Sequence, residues 1–448
     1  MLHLDGSPAT ATAAVVPPPP APAMPFLGGR IARLGFLTLT GAFGLNFAAG
    51  QFFAPLTESR GWDLRTLSAA AAVNAVVSGL AQPLLGRLID RIGTRPVVAA
   101  SLASLGSAYV LMAASQAMWQ WLLAYGLLAG IGFAGSSSLA VTVLISRWFV
   151  HDRARVLPRV FLGINAGQLT LVPVGGVLID QAGHRAAYLA LGLAVLAVLA
   201  PVVALRLVSD PEDVGQHADA HREPPPPTTS QAVPGDALRS RQFWLLALAF
   251  GINGWTLYFV LLHLPRFARD LGSGLGAGGG LLAIAAVASA STMLGVSRLV
   301  GRWGKRRLVV ALFGWRATVL VVATLATTSG QLAVVAAAFG VASFPVIPLV
   351  MGLLGDRYGT DVLGGVIGMA FVSHQVCGGL GVFTGGALHD LTGSYDAPLL
   401  IAAALLAAGT ALLLAVDDTD VPSRLTASRL GVPRQEPTPT SPEGAIAS

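Results

Sequence analysis

Long apolar runs separated by short polar breaks make up most of this chain from Ile31 onward. Each run has about 20 residues, the length that an α-helix needs to cross the hydrocarbon core of a bilayer. The pattern therefore predicts an all-α membrane protein with twelve transmembrane helices. The predicted helices cover residues 31–54, 66–88, 96–115, 120–146, 157–179, 186–208, 242–264, 278–300, 307–328, 331–354, 362–385 and 395–416.

Polar, proline-containing segments divide these helices into two halves. The sequence predicts an N-terminal six-helix bundle over 30–208 and a C-terminal six-helix bundle over 241–416. The segment between them, 209–240, contains four consecutive prolines and is expected to be a flexible cytoplasmic linker. Residues 1–29 lack the features of a signal peptide. We expect 1–29 and 417–448 to be disordered cytoplasmic tails.

The composition supports a membrane protein and indicates its orientation. Only 11% of the residues are charged, whereas a soluble domain carries about 25%. Of the 28 lysines and arginines, 22 fall on the side of the predicted bundle that holds both tails and the linker, and five fall on the other side. Because basic residues are retained on the cytoplasmic side, we expect a multi-pass protein of the cytoplasmic (inner) membrane with both termini cytoplasmic.

Several function classes are not supported by the sequence. The net charge of +6 is explained by cytoplasmic arginines, and no basic stripe interleaved with aromatic residues indicates nucleic-acid binding. The single cysteine, Cys377, excludes an internal disulfide and is expected to pack among apolar neighbours. Metal-ligand spacing, a nucleophile elbow and a phosphate-binding loop are missing. We therefore expect no enzymatic activity, no cofactor and no metal.

Two sequence echoes indicate an internal duplication. The segment Asp90 to Arg95 returns 211 residues later as Gly301 to Arg306, and Gly175 to Gly183 returns 210 residues later as Gly385 to Gly393. Two echoes at nearly the same offset, each on one side of the membrane in both halves, predict parallel six-helix repeats. The second copy has Gly301 where the first has Asp90, so a role that needs this carboxylate depends on the first copy.

A charged ten-residue stretch lies between the second and third predicted helices. Residues 86–95 read Gly-Arg-Leu-Ile-Asp-Arg-Ile-Gly-Thr-Arg, and their spacing resembles the G-x-L-x-D-R-x-G-x-R loop of the major facilitator superfamily. The segments Pro55 to Glu58, Arg147 to Phe149 and Asp390 to Tyr395 resemble the bacterial monocarboxylate and oxalate:formate group of that superfamily. The resemblance implies the major facilitator fold and secondary transport by alternating access.

The resemblance also implies a gating role for the charged loop. In that superfamily, the loop ties the inner ends of neighbouring helices together while the carrier is open to the outside. Arg147, at the inner end of helix four, is either a partner of the loop or an interfacial anchor. The predicted gating residues are Gly86, Asp90, Arg91, Gly93 and Arg95.

Glycines in the fifth and eleventh predicted helices have spacings suited to close helix contact. Small residues let helix backbones approach each other in lipid, so these positions are expected to pack against neighbouring helices. The predicted packing residues are Gly163, Gly167, Gly175, Gly176, Gly385 and Gly386.

Polar side chains inside the apolar runs are candidates for solute contact, because an unpaired polar group in hydrocarbon is costly. Most of them fall on helices one, five, seven and eleven, which line the central cavity in the carriers that this chain resembles. Each could instead bond a neighbouring helix. The predicted substrate-binding residues are Asn46, Asn165, Arg298, His374 and Gln375, and further candidates are Gln51, Gln168, Asn253, Tyr258 and His263.

Two arginines leave alternatives open. Arg298 takes the place of an eighth-helix arginine that binds substrate carboxylate in the resembling carriers, but the repeat also aligns it with Arg87, as expected for an interfacial residue. Arg316 lies about ten residues inside helix nine, a costly depth for an unpaired charge. It is either functional or a structural hydrogen-bonding residue.

These features predict a secondary transporter, a symporter or antiporter, of a small organic anion such as a monocarboxylate. No Asp or Glu falls in the middle of a run, so an anion would meet no buried negative charge. If protons are coupled, His374 or His263 is the expected carrier. A proton-exchanging exporter of drugs or metabolites is the alternative, and a non-transporting membrane sensor is a further one. We expect a functional monomer whose partners are the solute and the lipid bilayer.

Overall fold

A computed structural model describes residues 25–62, 64–220, 237–272, 277–359 and 363–417. Most of the two predicted tails and the proline-rich centre of the predicted linker lie outside these residues. The described residues form helices joined by short turns and contain no β-strand. The prediction of an all-α membrane protein with the major facilitator arrangement of twelve helices is confirmed.

Twelve helical segments follow one another within the described chain. Ten helices are long and apolar enough to cross a membrane, and the helix Lys305–Ala323 is a further segment outside this set. Arg153–Arg206 is one of these and contains two predicted helices, divided at Gly183, whose φ of +79° interrupts the helix. The segments are α1 Gly28–Ala48, α2 Leu64–Ile92, α3 Thr94–Ala114, α4 Met118–Trp148, α5 153–182, α6 184–206, α7 Arg241–Asp270, α8 Ala277–Trp303, α9 Lys305–Ala323, α10 Ser329–Tyr358, α11 Leu363–Thr392 and α12 Asp396–Leu414.

Several segments depart from a regular helix. After α1 the chain continues through a 3-10 turn into a short helix, Phe53–Arg60, that the hydrophobic pattern does not predict. The middle of α4 contains a π-helical stretch, Leu123–Ala129, and a break at Ser137. Because the apolar runs continue through these features, run length alone does not reveal them.

Glycines permit close pairing of α1 with α5 and of α7 with α11. A methyl group on Gly163 or Gly167 would overlap backbone atoms of α1, and one on Gly254 or Gly381 would overlap backbone atoms of the paired helix in the C-terminal half. Only residues without a side chain fit at such crossings. The two halves therefore use the same device at corresponding helix pairs.

The other four predicted packing glycines have looser surroundings or face side chains. A Cβ atom on Gly175 would lie 3.5 Å from Leu191, and one on Gly386 would lie 3.5 Å from His263. A Cβ on Gly176 would approach the side chain of Gln51 at 3.2 Å. Gly385 lies against the ring of Phe259, with no room for a methyl group.

One face of the bundle holds the C-terminal ends of α2, α4, α6, α8 and α10 and the N-terminal ends of the helices that follow them. It is termed the basic face because most lysines and arginines of the described residues are there. Residues 207–220, the basic-face strap, lie across the N-terminal half of this face. The Ser209 hydroxyl accepts the backbone N–H of Arg95 at 3.0 Å, and the Trp148 indole donates to the Val208 carbonyl at 3.1 Å. The first part of the predicted linker is thus packed against the helices.

Asp219, in the strap, caps the start of α5. Its carboxylate accepts the backbone N–H groups of Val150 at 3.0 Å, His151 at 2.6 Å and Asp152 at 3.3 Å. These donors lie in the turn that immediately precedes α5, which begins at Arg153, so they have no partner within the helix. Burial would raise the pKa of Asp219, but these hydrogen bonds outweigh it and hold the pKa below its ordinary value.

Replacing Asp219 with alanine is expected to lower the free energy of unfolding by about 1 kcal/mol at neutral pH. A carboxyl with a depressed folded-state pKa contributes fully above its unfolded pKa of about 3.9, and the contribution is lost as the pH falls through the folded-state value. Thermal unfolding in detergent should separate the two proteins at pH 7 and bring them together in acid. Glu212→Ala removes an exposed carboxylate of the same strap, so an equal loss in this control would contradict the capping role.

Candidate functional site

A narrow cavity lies between the N-terminal and C-terminal halves, with an empty volume of about 450 Å³ including its open mouth. Side chains from α1, α2, α4, α7, α10 and α11 line it. Its apolar wall is mainly aromatic: Phe43, Phe47, Phe133, Phe344 and Phe371, with Leu257, Leu261 and Ile347. Its polar wall consists of neutral side chains: Asn46, Gln82, Ser137, Ser138, Tyr258, His374 and Gln375. No Asp, Glu, Lys or Arg is among these lining residues.

Three of the five predicted substrate-binding residues meet in this cavity. Asn46 comes from α1, and His374 and Gln375 come from α11. Asn165, on α5, is buried and donates to the backbone carbonyl of Ala286 on α8 at 3.1 Å, so it bonds the opposite half away from the lining. Arg298 does not join the cavity.

Arg298 lies on an exposed face of α8 near the basic face. It shares that face with Leu294 and Val287, which are also exposed. The other face of α8 is buried, where Ala286 accepts the amide of Asn165. The expectation that Arg298 lies in the cavity is therefore corrected: it lies on the outer face of α8, because the repeat aligns depth along the helix and not the direction of the side chain.

Sequence reasoning missed three polar lining residues, Gln82, Ser137 and Ser138, and it named a fourth, Tyr258, only as a further candidate. Gln82 precedes a proline inside α2, and the two serines lie at the break in α4. Polar residues beside a helix irregularity inside an apolar run could have indicated them. Gln82 Oε1 and Ser138 Oγ are buried without a hydrogen-bond partner among the described residues.

A hydrogen-bonded chain extends from this cavity into the C-terminal half. Arg316, fully buried on α9, donates to Asn253 Oδ1 at 2.5 Å. Asn253 Nδ2 lies 3.2 Å from His374 Nε2, and His374 Nδ1 lies 3.4 Å from Gln375 Oε1. The Tyr258 hydroxyl donates to Gln375 Oε1 at 2.8 Å. The chain thus connects a buried cation on α9 to the polar wall.

The first polar contact between the halves at the basic face involves Asp90. Its carboxylate accepts the backbone N–H groups of Gly364 at 3.1 Å and Gly365 at 2.9 Å, at the start of α11. Arg147 lies 4.0 Å from the Asp90 carboxylate and 3.0 Å from that of Asp210 in the strap. Burial raises the pKa of Asp210, although the neighbouring Arg147 guanidinium opposes this effect.

The other residues of the predicted gating loop have different contacts. Gly86 allows α2 to cross α11, because a methyl group there would overlap the carbonyl oxygen of Gly364. Gly93 has φ of +86°, a left-handed value that favours glycine. Arg95 donates from Nε to the carbonyl of Ala204 at 2.7 Å, and Arg91 is exposed.

A second polar contact between the halves lies at the start of α5. Arg153 forms an ion pair with Asp356 at the end of α10, and Lys305 at the start of α9 forms an ion pair with the same carboxylate. The second copy of the charged loop has Gly301 in place of the aspartate. Asp356, from another helix, supplies a carboxylate on that side. Each half thus contributes a carboxylate that contacts the start of a helix in the other half.

Comparisons with known proteins cover nearly the whole chain. A family model of the Major Facilitator Superfamily matches residues 34–382. Human monocarboxylate transporter 11 is 30% identical over 416 residues, which cover 87% of this chain and 84% of that protein. The uncharacterized MFS-type transporter YcxA of Bacillus subtilis is 25% identical over 370 residues, covering 77% of this chain and 84% of that protein.

A solved structure has a similar fold. The human organic anion transporter MFSD10 (TETRAN) superposes with a TM-score of 0.68 over 86% of this chain and 99% of that chain. The two sequences are 15% identical in this comparison, so the likeness concerns the arrangement of the helices.

Proposed function

The chain belongs to the Major Facilitator Superfamily and resembles its monocarboxylate transporters, and on this premise we propose that it moves a small organic anion, such as a monocarboxylate, across the cytoplasmic membrane by alternating access. The basic face is the cytoplasmic face in this proposal, because arginine and lysine are retained there. Both termini are then cytoplasmic. The protein acts as a monomer, with the solute and the bilayer as its partners.

The observation that carries the proposal is the chemistry of the cavity wall. The wall offers amide, hydroxyl and imidazole groups beside aromatic rings, and its lining residues include no carboxylate. An anionic group can accept hydrogen bonds there without repulsion from a buried acid, and an apolar part of the solute can lie against the rings. The name of the human relative, monocarboxylate transporter 11, supports a carboxylate as the anion.

The contacts between the halves support a mechanism of alternating access. Asp90 joins α2 to the start of α11, and Asp356 joins the end of α10 to Arg153, both at the basic face. In the proposed cycle, these contacts hold the cytoplasmic mouth closed while the solute enters from the opposite face. Breaking them lets the halves rock and opens the cytoplasmic mouth. His374, in the cavity wall, is the proposed carrier if a proton accompanies the solute.

Purified protein in vesicles is expected to take up at least one labelled carboxylate from a panel of glycolate, butyrate and benzoate, at a saturable rate above that of protein-free vesicles. His374→Ala should lower the rate about tenfold, because it removes a hydrogen-bonding group from the wall. Arg298→Gln should leave the rate unchanged, because Arg298 lies on the exposed face of α8. Repeating the assay with a pH gradient reports whether protons are coupled.

An exporter of drugs or metabolites is a second candidate, favoured by the five phenylalanines of the cavity and by the position of Arg298 outside it. Such an aromatic wall can contact the apolar part of a solute. Gradient-driven movement of a cationic dye, with no uptake of any carboxylate by the wild type, would decide for the exporter and against the anion transporter.

A further inference from the structure

The buried guanidinium of Arg316 has no acidic partner within the part of the chain that the structure describes. It is fully buried on α9, lies 4.8 Å from the ring centre of Phe339, and donates to Asn253 Oδ1 at 2.5 Å and to Thr256 Oγ1 at 2.6 Å. No carboxylate of the described chain forms an ion pair with it. Isolated charges inside a membrane protein are rare and usually mark a function, because their burial is costly.

The guanidinium fixes the direction of every hydrogen bond that follows. Arg316 can only donate, so the Asn253 atom facing it is the oxygen and the Asn253 nitrogen donates to His374 Nε2. An imidazole that accepts at Nε2 carries its proton on Nδ1, which then donates to Gln375 Oε1 over a long 3.4 Å. The same oxygen accepts the Tyr258 hydroxyl.

The chain therefore ends in a donor at the cavity. Both hydrogen bonds of the Gln375 side chain use its oxygen, and its amide nitrogen has no hydrogen-bond partner among the described residues. Gln375 lines the cavity, so its N–H groups are available to a solute, as are the unpaired Gln82 Oε1 and Ser138 Oγ of the same wall. A carboxylate can accept from them, whereas an ammonium group cannot.

We propose that Arg316 is the specificity-determining charge of the transporter: it orients the chain through Asn253 and His374 so that Gln375 offers N–H groups to the carboxylate of the solute. The negative charge of the solute balances the guanidinium through the weakly screening interior. Arg316 is thus a positioning residue, which acts through its neighbours and does not touch the solute. This inference rests on the proposed function.

The competing explanation is that Arg316 only attaches α9 to α7. Asn253→Asp separates the two explanations, because aspartate has nearly the same shape and keeps the bond to Arg316 while adding an ion pair. A structural bond would persist in this variant. The charge, however, would be cancelled, and the aspartate oxygen facing His374 Nε2 would require the imidazole to donate there, which reverses the direction of the chain.

We expect Asn253→Asp to unfold at the same temperature as the wild type or higher, yet to take up labelled glycolate, butyrate or benzoate at least about tenfold more slowly, the effect of one lost charge-assisted hydrogen bond. In this variant, the inhibition of acid uptake by the uncharged amide of the same acid should change little. Arg316→Gln should lose acid uptake as well. Thr256→Val removes the other hydrogen bond of Arg316 but keeps the charge and the chain, so its preference for the acid over the amide should equal that of the wild type.

The outcomes are separable. If the wild type takes up an acid and either folded variant, Asn253→Asp or Arg316→Gln, takes it up at the wild-type rate, the inference is wrong and the proposed function stands. If the wild type takes up no acid of the panel, the proposed function fails and the inference fails with it. If Thr256→Val loses the preference for the acid over the amide as completely as Asn253→Asp does, the role of Arg316 is purely structural.

Discussion

Replacing Gly86 with valine is expected to lower carboxylate uptake by about 100-fold. The added side chain overpacks the state in which the basic face is closed, and overpacking of this kind costs about 3 kcal/mol. Even a methyl group on Gly86 would overlap the carbonyl oxygen of Gly364, and the contact joins backbone to backbone. No side-chain rotation can relieve it, so α2 and α11 must separate at the basic face. The state in which that face is closed then becomes unfavourable, and a carrier that cannot close one mouth cannot complete its cycle.

Uptake into vesicles measures this loss, and a reporter cysteine shows its cause. In a Cys377→Ser background, Ala154→Cys places a thiol in the narrow space between α5 and the C-terminal half at the basic face. A membrane-impermeant maleimide added from that face should label it faster when Gly86→Val is present. Gly379→Val is the matched control, because a Cβ on Gly379 of α11 meets no atom within 4 Å. Unchanged uptake and labelling in Gly86→Val would contradict closure at this crossing.

The local features of the fold could be predicted from sequence because they depend on neighbouring residues. Runs of about 20 apolar residues predict membrane helices, and the twelve predicted helices are present in the described chain. The echo of the charged loop also indicates where the second half of the chain repeats the first. Apolar length does not distinguish a regular helix from one with an irregularity, so it missed the break at Ser137 in α4 and the helix Phe53–Arg60.

Contacts between distant residues could be predicted only in part. Asn46, His374 and Gln375 were found because a polar residue in an apolar run is unusual, and all three line the cavity. Arg298 was placed by its depth along α8, but depth does not decide which way a side chain points. Asp356 was missed because its contact with Arg153 spans 203 residues of sequence and depends on how the two halves meet.

The position of Arg316 was predictable, but its partners were not. Its depth in helix nine is visible from the apolar run around it, whereas its bonds to Asn253 and Thr256 join helices separated by some 60 residues of sequence. The sequence therefore left a functional and a structural role open. The hydrogen-bond chain through Asn253 connects the arginine to the cavity, and this connection is the basis for assigning it a role in specificity.

The two polar contacts at the basic face predict an additive effect when both are removed. Asp90→Ala removes the acceptor for two backbone N–H groups at the start of α11, and Asp356→Ala leaves Arg153 and Lys305 without their shared carboxylate. We expect each variant to lower uptake about tenfold, because a hydrogen bond that involves a charge contributes about 1.5–3 kcal/mol. The two sites share none of these partners, so the effects should multiply to about 100-fold in the double variant.

Labelling of the Ala154→Cys reporter distinguishes an opened basic face from general damage. Removing Asp356 leaves two cations next to each other across the halves, and their repulsion should expose position 154 in the single variant and further in the double variant. Asp396→Asn changes an exposed carboxylate at the start of α12, on the opposite face, and should alter neither uptake nor labelling. If the double variant were no slower than Asp90→Ala alone, then Asp356 would not contribute to closure, and the Asp90 contact with α11 would close the basic face alone. If the two losses multiply and labelling is faster, each half closes the cytoplasmic mouth with its own carboxylate. In the C-terminal half that carboxylate comes from Asp356 of α10, because the repeated loop has Gly301 at the position of Asp90.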